Sequence, residues 1–249
     1  MSFNFANILR ESSNAHPHKA LCHLGEHTFS YAQLDEISGR VATSLRARGV
    51  GRGDKVAVQL PNVPHFLFAY FGILKVGAVL VPLDPQLRAP EICYQIITCD
   101  ARLLITFESS AEQAVRGAAE IDGLQTYVVK APIDARFPAG IHHFDELYFA
   151  QDTKEIEPTD ADDTAVIVYT SGTTGKPKGA ELTHFQMYIS CTGAMEEALA
   201  GQEEGSLRRT TISAAVDLAD RIVTNQYEFL RSVLQNMENA IETPRDKQK

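Results

Sequence analysis

Hydrophobic positions along the chain follow two rhythms. Between Ser30 and Arg48, Leu34, Ile37, Val41 and Leu45 recur every three or four residues. That spacing predicts an amphipathic helix, with the Ser30 hydroxyl placed to cap it. FANILRESS, near the start, has the same helical character, and LCHLGEHTFSY reads as two short strands around a Gly-Glu turn. GVGRGDK is a turn and VAVQL a buried strand. A helix from about Pro64 to Lys75 leads to strand AVLVPL. Pro90 to Thr98 is predicted as a helix with proline at its start. ARLLITF is a strand, Ser109 to about Ile121 a helix, and QTYVVK another strand. Helices alternating with short apolar strands predict an α/β domain around a mixed, largely parallel sheet.

Residues 151–163, QDTKEIEPTDADD, are rich in acids and predict a solvated connector. Beyond it, Ala165 to Tyr169 is a run of branched and aromatic residues, predicted to be a buried strand. A Ser/Thr/Gly/Lys loop follows, and a helix-like segment starts near Thr183.

Composition narrows the class. The 249 residues are 44% hydrophobic and 22% charged, which fits a globular protein with a sizeable core. A net charge of −9 argues against a general nucleic-acid binder, which needs a basic footprint. The most apolar stretch, Phe66 to Leu83, is interrupted by Lys75, so a buried helix and strand are expected there and not a membrane span. Neither a secretory leader nor a transmembrane segment is expected, and the location implied is the cytoplasm. Cys22, Cys93, Cys99 and Cys191 have no metal-like spacing, and neither His16/His18 nor His142/His143 has a third ligand at recognisable spacing.

The chemistry concentrates in the loop from Thr170 to Gly179. Gly172, Gly175 and Gly179 let backbone approach a ligand. Successive amides in such a loop can form an anion-binding concavity. Thr170, Ser171, Thr173 and Thr174 add hydroxyl donors, and Lys176 and Lys178 add positive charge. That inventory suits a polyphosphate. The spacing is not that of a Walker A loop, because counting forward from Gly172 brings Pro177 to the second glycine position. A position beyond the carboxyl end of a strand favours ligand binding over an idle surface turn. His184, just past the loop, is placed either to touch nucleotide or substrate or to cap the next helix.

The stretch YTSGTTGKPKGAELTH at 169–184 resembles the phosphate-binding signature of the adenylate-forming (AMP-binding) superfamily. Residues 29–62 resemble that family's early helix and first core strand. LKVGAVLVPLDPQLRAPEICYQI at 74–96 resembles its second signature, with Gly77 and Pro82 in place. The wording is most similar to bacterial fatty-acyl-CoA synthetases. The resemblance covers about residues 1–192 and implies a partial adenylation domain there. It implies ATP, Mg2+ and coenzyme A as cofactors and co-substrate, and a fatty acid as substrate. A carboxylate would attack the α-phosphate of ATP, and a thiol would then take the acyl group. Thr170, Ser171, Gly172, Thr173, Thr174, Gly175 and Lys178 would hold the β- and γ-phosphates, with Lys178 neutralising charge and Lys176 at the rim.

Later motifs of that family are not found in this chain. The only Thr-Gly beyond the loop is Thr192-Gly193-Ala194, and no magnesium-binding glutamate, ribose-binding aspartate motif or C-terminal catalytic lysine is recognised. The expectation is a truncated ligase that retains the phosphate loop and does not complete the reaction alone. The tail is read as a 193–206 linker, a long amphipathic helix over 207–243 and a charged 244–249 end. Ile212, Val216, Ala219, Val223, Tyr227, Leu230, Leu234, Met237 and Ile241 recur along the helix at three- or four-residue spacing. Such a stripe needs a partner: the α/β portion, a second copy of the chain, or a lipid surface. The alternative function is therefore a catalytically silent chimeric scaffold whose helix mediates oligomerisation or docking.

Overall fold

The structure, a computed structural model, describes residues 3–24, 26–131, 137–170 and 176–190. The 193–206 linker, the 207–243 helix and the 244–249 tail lie outside the described residues.

The chain opens with helix α1 (Asn7–Ala15) and a hairpin of β1 (Ala20–Leu24) and β2 (His27–Ser30). Helix α2 (Tyr31–Ala47) starts as its sequence predicts. Ser30 accepts from the Gln33 amide, and the Gln33 side chain accepts from the Ser30 amide. Then come β3 (Lys55–Gln59), α3 (Pro64–Lys75), β4 (Val79–Pro82), α4 (Ala89–Cys99), β5 (Ala101–Phe107), α5 (Ala111–Ala118), β6 (Gln125–Val129) and β7 (Ile141–His143). Strands β8 (Thr164–Thr170) and β9 (Lys178–Thr183) complete the described sheet, and residues 184–190 are helical.

Seven strands form one sheet in the order β7-β6-β5-β3-β4-β8-β9. All neighbours run parallel except β8 and β9, which form an antiparallel hairpin. Two cores sit on the two faces. One gathers Leu9, Leu34, Leu45, Phe71 and Ile73 from α1, α2 and α3. The other gathers Ile92, Ile96 and Ala114 from α4 and α5 against Val81 and Leu104. Helix α3 is apolar on every side, and all its residues but His65 are buried. It crosses α2 closely at Gly72, where a side chain's Cβ would lie 2.6 Å from Val41 Cγ1. The stretch from Phe66 to Leu83 thus divides into α3 and β4, and no helix among the described residues is long and apolar enough to cross a membrane.

Three polar anchors tie this layer together. Lys75, with no exposed surface, donates to Asp35 Oδ1 and the Asp35 carbonyl, both at 2.7 Å, and to Ser38 Oγ at 2.9 Å. Asp35 Oδ2 also takes Arg10 Nε at 2.7 Å, so α1, α2 and α3 meet at one carboxylate. Asn4 Nδ2 donates to the carbonyls of Leu74 and Glu157.

Three expectations need correction. Residues 151–163 are more than a solvated connector. Ile156 packs on the core, Thr159 is buried with its hydroxyl on the Phe3 carbonyl, and Arg52 binds Asp160 and Asp163. His142 and His143, for which no strand was expected, lie on β7, where His142 stacks on Tyr127. KGAELT, expected to be loop running into helix, is strand β9. Its pattern has no two-residue alternation, since residues 178–181 are all exposed and only Leu182 and Thr183 are partly buried; pairing to β8 overrides its weak β propensity.

Candidate phosphate-binding site

Chain order reverses across the sheet centre. From β3 the chain moves to β4 on one side, then crosses to β5 on the other. In open α/β sheets, ligands bind beyond the carboxyl ends of strands at such a reversal. Here that edge collects the residues after β3, the residues after β4, and the end of β8.

A buried polar network shapes it. Thr106 Oγ1 donates to Gln59 Oε1 at 3.0 Å, and Gln59 Nε2 donates to the Asp84 carbonyl at 3.1 Å. Asp84 is 3% exposed, and its Oδ1 accepts the Gln86 amide at 2.7 Å. Burial pushes the Asp84 pKa up, and the Gln86 amide opposes that shift. These three residues were not singled out from sequence. The available signal was a glutamine and a threonine near the ends of otherwise apolar strands.

Strand β8 carries the predicted loop from this edge. Thr170 is its last residue and Lys178 the first of β9, and the two face each other in register. Both are exposed. Of the residues expected to hold phosphate, the structure therefore brings Thr170 and Lys178 together at the mouth of the hairpin. Ser171, Gly172, Thr173, Thr174 and Gly175 lie outside the described residues. Lys178 belongs to a strand end and not to the loop interior, which fixes its backbone in the β8 ladder. Gly179 follows for a steric reason: a Cβ there would lie 2.9 Å from Ile167 Cγ2 and 3.7 Å from the Tyr169 ring.

Lys176, expected at the rim, places Nζ 5.6 Å from the centroid of the Tyr94 ring. Tyr94 Oη donates to the Pro177 carbonyl at 3.2 Å. One helical turn on, Thr98 Oγ1 lies 2.6 Å from Tyr169 Oη, which also donates to the Gln95 carbonyl at 3.1 Å. Tyr94 and Thr98 also escaped the sequence reading. Their signal is a polar pair four residues apart on a helix whose other face, Ile92, Cys93 and Ile96, is buried.

His184 serves neither expected role. Its ring is fully buried, and Nδ1 accepts the Phe5 amide at 3.2 Å. Thr183 caps the 184–190 helix instead, exchanging hydrogen bonds with Gln186. Nε2 is buried with no partner among the described residues. Burial pushes the His184 pKa down to about 4. Protonation would also set two donors against each other at Phe5. The unfolded chain, titrating near 6.5, binds more protons than the folded one in this interval. The neutral ring's contribution is therefore fully present above pH 6.5 and is lost as pH falls towards 4, on the order of 3 kcal/mol. His184→Asn, which keeps an acceptor for Phe5, is expected to flatten that loss. Urea unfolding at pH 7 and pH 4.5 checks it, and an equal loss in both proteins would contradict the assignment.

Among the described residues, no three His, Cys, Asp or Glu side chains gather as a metal site. The described mouth of the hairpin offers a hydroxyl and a lysine, which suit phosphate oxygens. A magnesium ion brought by a nucleotide would rest on phosphates and water there. A surface cavity of about 760 Å³ beside Arg10, Asp35 and Asp152 lies on the α1–α2 face.

This fold defines an α/β domain with a Ser/Thr/Gly/Lys segment following a strand of its largely parallel sheet. The chain belongs to the AMP-binding enzyme family, whose model matches residues 9–219. That span runs past residue 192. The chain is 34% identical over 161 residues to a crotonobetaine/carnitine–CoA ligase of Citrobacter koseri, covering 64% of this chain and 31% of that protein. It is 34% identical over 191 residues to a feruloyl-CoA synthase of an Amycolatopsis species, covering 77% and 35%. A benzoate CoA ligase from Burkholderia xenovorans LB400 superposes with a TM-score of 0.66 at 25% identity, over 76% of this chain and 36% of that one. The chain thus spans about a third of the length of the curated relatives it matches.

Proposed function

We propose that this chain supplies the phosphate-holding part of an ATP-dependent acid–thiol ligase acting on a fatty acid. One observation carries the reading. The Ser/Thr/Gly/Lys loop is hung between β8 and β9 at the carboxyl edge of a parallel sheet, with Thr170 facing Lys178. In the proposed reaction, a carboxylate oxygen attacks the α-phosphorus of ATP. The bond from that phosphorus to the bridging oxygen breaks, and pyrophosphate leaves with the electron pair. A thiol, coenzyme A, then attacks the acyl carbon and AMP departs. Thr170, Lys178 and the residues 171–175 between them would hold the β- and γ-phosphates and neutralise the charge that grows on the leaving pyrophosphate. Magnesium, when carried by ATP, would supply further charge neutralisation.

The named relatives support the carboxylate-activating part of this reading, because crotonobetaine, carnitine, ferulate and benzoate all offer a carboxylate. The fatty-acid assignment rests on sequence wording alone. Orientation of two reactants and charge stabilisation act together and non-additively, so a phosphate loop separated from its partners binds far better than it catalyses. The test is pyrophosphate release from ATP with magnesium and coenzyme A across fatty, aryl and carnitine-like acids. Binding of ATP without release supports the proposal for the chain by itself. Release with aryl acids and none with fatty acids overturns the substrate assignment.

A second reading is favoured by the apolar stripe at 207–243: a scaffold that assembles through that helix. Light scattering on the full chain and on one ending at Ser206 separates the two. A change from an assembly to a monomer supports the second reading.

A further inference from the structure

Helix α4 grips both stems of the β8–β9 hairpin. On the β8 side, the Tyr169 hydroxyl donates to the Gln95 carbonyl and lies 2.6 Å from Thr98 Oγ1. Thr98 Oγ1 also donates to the Tyr94 carbonyl at 2.8 Å, so the two hydroxyls and the carbonyls of α4 form one shared network. On the β9 side, Tyr94 donates to the Pro177 carbonyl, and its ring lies under the Lys176 ammonium. Tyr94 and Thr98 stand four residues apart, on one face of the helix.

The second grip has a purpose the sheet cannot serve. Strand β9 begins at Lys178, so Pro177 lies outside the ladder. Proline has no N–H, and its carbonyl is the only backbone group by which this point can be held. Tyr94 takes that carbonyl. The same side chain offers a π face to the adjacent lysine, an attraction that grows as water is excluded. One residue therefore fixes both the path and the charge of the chain where it re-enters the sheet.

We infer that Tyr94 is a positioning residue for the nucleoside-triphosphate loop, setting the Lys176-Pro177 exit so that Lys178 meets the terminal phosphates. This rests on the phosphate-loop reading above. Tyr94 acts through Pro177 and Lys176. Tyr94→Phe keeps the ring and loses the hydrogen bond, Tyr94→Leu loses both, and Lys176→Met loses the charge.

Calorimetric titration of ATP into the full chain reads these changes. Tyr94→Phe is expected to weaken binding about 3-fold and Tyr94→Leu about 10-fold, from one neutral hydrogen bond plus one cation–π contact. Lys176→Met is expected to weaken it, and Tyr94→Leu/Lys176→Met less than the product of the single effects, because the two residues act as a pair. Melting temperatures of the variants should stay within about 2 °C of wild type, since a partly exposed contact at a hairpin mouth contributes little to global stability. A merely structural tyrosine would move the melting temperature and show no coupling to Lys176. If wild type binds ATP and both Tyr94 variants bind equally well, the Tyr94 role is overturned and the phosphate-loop reading stands. If folded wild type does not bind ATP, the phosphate-loop reading fails and the Tyr94 role falls with it.

Discussion

Asp35→Ala is expected to destabilise the fold by about 3–5 kcal/mol, because it strands a buried ammonium. Lys75 has no exposed surface, and all three of its donors are used, on Asp35 Oδ1, the Asp35 carbonyl and Ser38 Oγ. Burial pushes its pKa down, and the Asp35 charge works against that shift. Removing the carboxylate leaves two neutral acceptors and only the weaker attraction of Asp152. Arg10 loses its carboxylate partner in the same step and keeps the Lys154 carbonyl. Lys75→Met should be milder, since Asp35 would still hold Arg10 and faces the large α1–α2 cavity. The double variant should be more stable than Asp35→Ala alone, because it no longer strands the buried Lys75 ammonium. Urea unfolding with unchanged m-values measures all three. A cost under about 1 kcal/mol for Asp35→Ala, the size typical of an exposed pair, would contradict the role given to this triad.

The second large effect concerns the proposed activity. Lys178→Ala is expected to weaken ATP binding about 10- to 100-fold, the worth of a charge-assisted hydrogen bond to phosphate. Lys178 is exposed at the hairpin mouth and fixed by its register with Thr170, so its removal should leave the fold intact. Lys178→Arg keeps the charge on a longer, planar head and should recover part of the affinity. Circular dichroism that matches wild type, with ATP affinity lowered in Lys178→Ala and partly restored in Lys178→Arg, is the expected pattern. Equal affinity in all three would remove Lys178 from the site.

Much of the fold was legible residue by residue. Helix α3 runs Pro64–Lys75 as its proline start and apolar run imply, and Ser30 caps α2 as its position suggests. The rest was hidden where partners are distant in sequence. Lys75 reads as an interruption in an apolar stretch, because its counter-ion lies forty positions earlier on another helix. Strand β9 has no alternation of its own, since its partner β8 supplies the register. Strand β7 is three residues long, too short for any period. Charges dominate the 151–163 segment and conceal Ile156 and Thr159, which the core holds.

The candidate site divides the same way. Thr170 and Lys178 stand out because loop chemistry is local: glycine, hydroxyl and lysine lie side by side in sequence. Tyr94, Thr98, Gln59 and Asp84 do not, because each is defined by a neighbour that only folding supplies. His184 misleads for the converse reason. It sits next to the loop in sequence, yet its ring turns into the core to meet Phe5.

The β8–β9 hairpin is proposed to hold the terminal phosphates of ATP. Titrating ATP and magnesium into the folded chain, with inorganic pyrophosphate and AMP as competitors, tests it most directly. Saturable ATP binding that pyrophosphate displaces more effectively than AMP is the expected result. Binding that AMP displaces and pyrophosphate does not, or no ATP binding by a folded sample, would contradict it.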